Sequence, residues 1–146
     1  MATDPDVKQV ENILQTFKTT TDYSSGEVIQ KFETVWNILF GIEDIFEKSR
    51  SLELARLVNV VALLFNESGT SMAVGETIVK SSMLKLLIKA LKDPRLYKAD
   101  SKSSMGKQVQ TEVIGTLYNI LYTKKDIPNA RQEMRSLDAV EALKPY

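Results

Sequence analysis

At 146 residues, with 43% hydrophobic and 26% charged residues, the chain is long enough for one sizeable core and too apolar for global disorder. It contains neither cysteine nor histidine, which excludes a disulfide framework, a thiolate nucleophile, an imidazole base and the two commonest transition-metal ligands. Formal net charge is zero, yet residues 1–79 hold 6 Lys/Arg against 12 Asp/Glu and residues 80–146 hold 13 against 7, so an acidic half precedes a basic one.

Asp4-Pro5-Asp6 supplies a cap, a first-turn proline and a first-turn acid. Val7, Val10, Leu14 and Phe17 then recur at helical steps. The polar stretch Thr19 to Gly26 reads as a linker. Behind it Val28, Phe32, Val35, Leu39, Ile42 and Phe46 advance by three or four residues, predicting one long helix with Gly41 inside it as a bend or close crossing. A third helix follows Ser51 through Leu54, Leu57, Val61 and Leu64 and stops at Ser68-Gly69-Thr70. Helices are also expected over Met72–Lys80 and Ser82–Lys92, the latter ended by Asp93-Pro94. Residues 96–107 read as a flexible loop because of their Ser, Lys and Gly content. The last long helix spans Gln108–Tyr122, with Lys124 and Lys125 suiting its C-terminal dipole. Short helices then begin at Pro128 and Leu137.

No segment sustains period-two alternation, so the predicted fold class is all-α, a single domain over 1–146 with a divergent helical part at 1–50 and clearer repeats over 51–146. Three of the apolar helices carry one figure: Val35-Trp36-Asn37, Leu64-Phe65-Asn66 and Leu117-Tyr118-Asn119, two of them followed by Ile38 and Ile120. Trp36 and Asn37 are read as structural. An amide on such a helix has two uses: it locks a neighbouring turn by bonding its backbone, or it binds a ligand.

From Ser82 onwards the chain resembles an armadillo-type repeat. Met83 to Leu91 is similar to that pattern's second helix, Val113 to Ile120 to its third, and Met134 to Leu143 to the opening of the next unit. Leu57 to Asn66 would close a preceding unit, and Val35 to Ile38 one before that. The asparagines are 29 and 53 residues apart, and removing a loop of about ten residues brings the second interval near the family period of roughly 40–47. The resemblance implies an armadillo-like right-handed superhelix, an α-solenoid of about three partly degenerate repeats.

Such a superhelix would act as a non-enzymatic scaffold, gripping a protein or peptide in a groove. Asn66, Asn119 and Tyr122 are the expected partner-binding residues, with Lys85 and Lys89 as peripheral charge. No catalytic residue, metal or cofactor is expected. Glu43, Asp44 and Glu47 form an acidic cluster that reads as a solvated face. Gly106-Lys107 lacks the remaining phosphate-loop residues, with Ser101 and Gln108 at the key positions. Lysines around Lys85 carry one interleaved aromatic, Tyr97, so nucleic acid is not the expected partner. The longest apolar run, Val60 to Phe65, is far short of the ~20 residues of a membrane span. Met1 to Lys8 is acidic and polar, so a cytoplasmic chain, with nuclear residence also compatible, is expected. The competing expectation is a trafficking adaptor like the VHS and ENTH domains, binding sorting peptides or anionic lipid. Leu137, Val140 and Leu143 begin an apolar helix close to residue 146, which predicts either a longer protein or self-association through an uncapped C-terminal end.

Overall fold

The computed structural model describes residues 4–122 and 127–146. Among these residues the chain is helical with no strand. In order come α1 (Asp4–Phe17), α2 (Gly26–Phe40), α3 (Ser51–Thr70), α4 (Met72–Lys80), α5 (Met83–Leu91), α6 (Pro94–Tyr97), α7 (Ser104–Leu121), α8 (Ala130–Ser136) and α9 (Ala139–Leu143). The all-α expectation holds. Lys124 and Lys125, expected at the end of the last long helix, lie outside the described residues.

α1 and α2 are joined by aromatic packing, with the Phe17 ring stacked on Phe32 at 4.6 Å between centroids. Tyr23, in the linker, tilts against both rings and donates its hydroxyl to the Phe17 carbonyl at 2.8 Å. Ser25 starts α2 by accepting from the Val28 amide. Arg56 reaches back from α3 to Glu11 of α1 at 2.7 Å.

α2 ends earlier than its apolar periodicity implies. The Gly41 amide closes the helix on the Asn37 carbonyl at 3.1 Å, and a Cβ on residue 41 would stand 2.6 Å from that same oxygen. Glycine fits there where a side chain does not. Ile42, Ile45 and Phe46 are nevertheless buried, carried inward by successive turns. The periodicity therefore reports burial correctly and helix length wrongly. Since α3 follows α2 through turns and one 3-10 segment (Lys48–Arg50), Asn37 and Asn66 lie on consecutive helices. The sequence reading placed them on corresponding helices of successive units.

Residues 96–107 are not a bare loop. Asp93 caps α6 by accepting from the Arg95 amide at 2.9 Å, and a 3-10 turn covers Ala99–Ser101. Leu96 and Ala99 are fully buried. Ser103 accepts from the Gly106 amide at 3.0 Å and starts α7 four residues ahead of the predicted Gln108. Polar composition masked two caps.

The most extensive helix pairing joins α3 to α7. Their register is fixed by two close approaches: a Cβ on Gly115 would stand 2.5 Å from the Phe65 ring, and the Asn119 amide lies beside Gly69. Moving forward along α7 thus moves forward along α3, so the two helices run in the same direction. Lys102 and Glu47, 2.9 Å apart just before the two N-termini, tie the starting ends together. α4, α5 and α6 return the chain between them. Beyond α7, Ala130, Met134, Ala139 and Ala142 bury the inner sides of α8 and α9. Lys92 donates to the Leu137 carbonyl at 3.2 Å and Tyr146 Oη to the Leu91 carbonyl at 2.9 Å, fastening this end to α5. Among the described residues no single helix is long and apolar enough to cross a membrane; the segment Lys48–Thr70 and α4 meet at 118°.

Candidate functional site

The residues singled out in the sequence fall in three places. Asn119 lies in the α3–α7 joint. Its Nδ2 donates to the Phe65 carbonyl at 3.0 Å and to Ser68 Oγ at 3.2 Å. Both bonds cross from one helix to the other, so the amide has the locking geometry. Asn66, its counterpart on α3, is exposed. The stripe that flanks the joint toward solvent carries Asn59 and Asn66 on α3 and Gln108, Thr111 and Tyr118 on α7.

Lys89 and Asn37 meet elsewhere, in a cleft of about 230 Å³ between α2, α5 and α6 with Trp36, Phe40 and Arg95. Trp36 is buried and stacks on Phe40 at 5.1 Å, so its role is packing. Lys85 is exposed one turn before Lys89 on α5. Arg95, which the sequence reading counted only among the basic residues near Lys85, dominates this cleft. Its guanidinium donates to the Phe40 carbonyl at 2.9 Å and the Ile42 carbonyl at 2.8 Å, and sits 4.6 Å above the Phe40 ring. Asp93 holds it from behind at 2.8 Å. Burial pushes the Asp93 carboxyl up, but the Arg95 hydrogen bonds and charge outweigh it and leave the group lowered. The arrangement neutralises the carbonyl end of α2 with a planar cation.

The acidic cluster is divided between cations. Asp44 accepts from Arg50 Nε at 2.9 Å and its carboxyl is lowered chiefly by that bond, while Glu47 pairs with Lys102. Among the described residues no three acidic groups are placed to hold a metal ion. Glu112 is the other unusual carboxylate. Its Oε1 accepts from Gln108 at 3.3 Å, whereas Oε2 alone, among the buried side-chain polar atoms described, has no hydrogen-bond partner. Burial raises its pKa, with the Gln108 bond opposing.

The third place is the C-terminal end of α7. Tyr122 is 64% exposed and Tyr118 61%, their rings 4.7 Å apart. Beside them a groove of about 250 Å³ opens between α7, α8 and α9. Leu117, Leu121, Met134, Val140 and Leu143 line it, with Arg131 and Arg135 at its edge. Tyr122 was singled out in the sequence, and the apolar step Leu137, Val140, Leu143 marked this end as uncapped. Met134 and Arg135 were read in the sequence only as the opening of a further unit, and Arg131 was not singled out, because their helix of seven residues is too short for periodicity to assign its faces. Comparison with protein families, characterised proteins and solved structures finds no match to this chain.

Proposed function

We propose that this chain is a non-enzymatic scaffold whose helices stack in armadillo-like units and present a docking surface to a protein or peptide partner. In this reading α4, α5 and α7 form one unit, α3 closes the unit before it, and α8 and α9 open the next. The observation that supports it is the α3–α7 joint: two long helices running the same way, each carrying aliphatic-aromatic-asparagine in its C-terminal part, with three shorter helices returning the chain between them. Stacked units of this kind leave one side of the long helices uncovered, and affinity comes from side chains projecting there. A right-handed superhelix is the expected continuation of the same stacking.

Site-specific photocrosslinking tests the proposal. A photoreactive residue at Asn66 or Thr111, on the uncovered stripe, should trap the same cellular protein. The same residue at Lys8, on the exposed side of α1, should not. Equal trapping at all three positions, or none at the first two, refutes the reading.

A further inference from the structure

The cleft between α2, α5 and α6 gathers polar groups that the fold itself leaves unused. Arg95 is not one of them. Its Nε and both terminal nitrogens already donate to Asp93 and to the carbonyls of Phe40, Ile42 and Glu43, which occupies all five donors of the fork. Asp93 is engaged in turn by that guanidinium and by the Arg95 amide. Lys89 and the side-chain amide of Asn37 differ. Both line the cleft, both residues are exposed, and neither side chain makes a hydrogen bond or ion pair among the described residues. In the lining, Lys89 and Arg95 stand against Asp93, which leaves one positive charge. Trp36 and Ala90, both buried, and Phe40 and Leu86, both half-buried, supply the apolar surface. At about 230 Å³ the space falls below the roughly 300–1,000 Å³ of sites for drug-sized ligands and cofactors, so its occupant has the size of a single side chain.

We propose that this cleft binds a carboxylate carried on a small apolar group, with Lys89 and the Asn37 side-chain amide as donors and Phe40 and Leu86 against the apolar part. The inference goes beyond the scaffold reading and does not depend on it, since Asn37 lies on α2 and Lys89 on α5. Charge selects the ligand's sign and size. One unanswered positive charge matches a monoanion, whereas a phosphate ester brings close to two negative charges. A neutral amide would satisfy Asn37 and leave the Lys89 ammonium without a counter-charge, and hydrogen bonds between ionised groups are the stronger ones. The lysine stem is flexible, so its ammonium can follow a carboxylate over the apolar wall. A free small acid presents this chemistry, and so does a Glu side chain of a polypeptide beside an aliphatic neighbour.

Trp36 is the only tryptophan in the chain, so its indole N–H resonance reports on this cleft. The whole chain is titrated with 3-phenylpropionate, with its uncharged counterpart 3-phenylpropionamide, with a blocked Glu-Leu dipeptide and with the Gln-Leu equivalent. Both acids should shift the Trp36 signal saturably by millimolar concentration. The two amides should bind about tenfold or more weakly, the scale of a lost hydrogen bond between charged groups. Lys89→Gln should weaken both acids by a similar factor, and Asn37→Asp, which sets a carboxylate where the amide was, should abolish their binding. Both substitutions fall on exposed residues, where the fold tolerates change. Lys8→Gln, the same loss of charge on α1, should leave binding unchanged. The tighter acid identifies the source: the dipeptide points to a polypeptide side chain, 3-phenylpropionate to a free small acid. Equal affinity for acids and amides overturns the proposal. So does insensitivity to Lys89→Gln, an equal loss in Lys8→Gln, or no saturable shift with either acid. None of these outcomes bears on crosslinking from Asn66 and Thr111, which lie outside the cleft.

Discussion

Asn119 separates the two uses of an amide on an apolar helix. Both of its described bonds run to α3, so Asn119→Ala should cost about 1 kcal/mol in urea denaturation, typical of a partly buried hydrogen bond. Asn66→Ala, on an exposed side chain, should change stability by less than about 0.5 kcal/mol. Equal losses would show that the asymmetry between the two asparagines is not energetic. Glu112 gives a second prediction with a definite sign. Its folded-state pKa is raised by burial, so the folded chain binds more protons than the unfolded one, and stability falls as pH climbs from the unfolded value through the folded value. Glu112→Gln should therefore raise Tm at pH 7. The gain should shrink toward about pH 4, where a free glutamate protonates. Calorimetry showing the same difference at both pH values would remove the role of ionisation. The asparagine figure was readable in the sequence, including the lock as one of its two uses. The Glu112 orphan was not, because its burial depends on neighbours outside α7.

At the scale of elements, the sequence located helices well and their ends less well. Val28 through Phe46 kept helical spacing after the helix had ended, since the turns after Gly41 bury Ile42 and Phe46 as a helix would. Side chains are selected for the core they enter, and periodicity alone does not record the backbone that carries them. Arg95 is the counterpart error. One cation between a proline and a leucine reads as surface charge, yet it gathers the carbonyls of Phe40 and Ile42 across more than fifty residues of chain. Lysine has the charge without the fork. Arg95→Lys should thus lower stability by about 2 kcal/mol, on the scale of hydrogen bonds made by a charged group. It should also speed amide exchange in residues 40–46 and 93–97. Protection unchanged in both segments would mean that α6 is held by Leu96 packing alone.

For the whole molecule, the described helices group around α3 and α7, with α1 at one side and α9 at the other. Local opening costs least where few apolar side chains are buried. Exchange should accordingly be slowest in the middle of α3 and α7 and fastest in α9, where Val140 and Leu143 are uncovered. Uniform protection would imply a single cooperative unit reaching to Tyr146. The acidic-to-basic drift along the sequence, readable from composition alone, is bridged by Lys102 with Glu47, while Arg50, Arg56 and Arg95 pair with acids of their own half.

The pairing of α3 with α7 also sets a timetable for synthesis. Asn119 and Phe65 are 54 positions apart, so α3 leaves the ribosome well before the helix that covers it has been translated. At roughly 5–20 residues per second that interval lasts several seconds. Throughout it, the nascent polypeptide displays the uncovered apolar face of α3 around Phe65, surface of the kind that makes incomplete chains prone to aggregate.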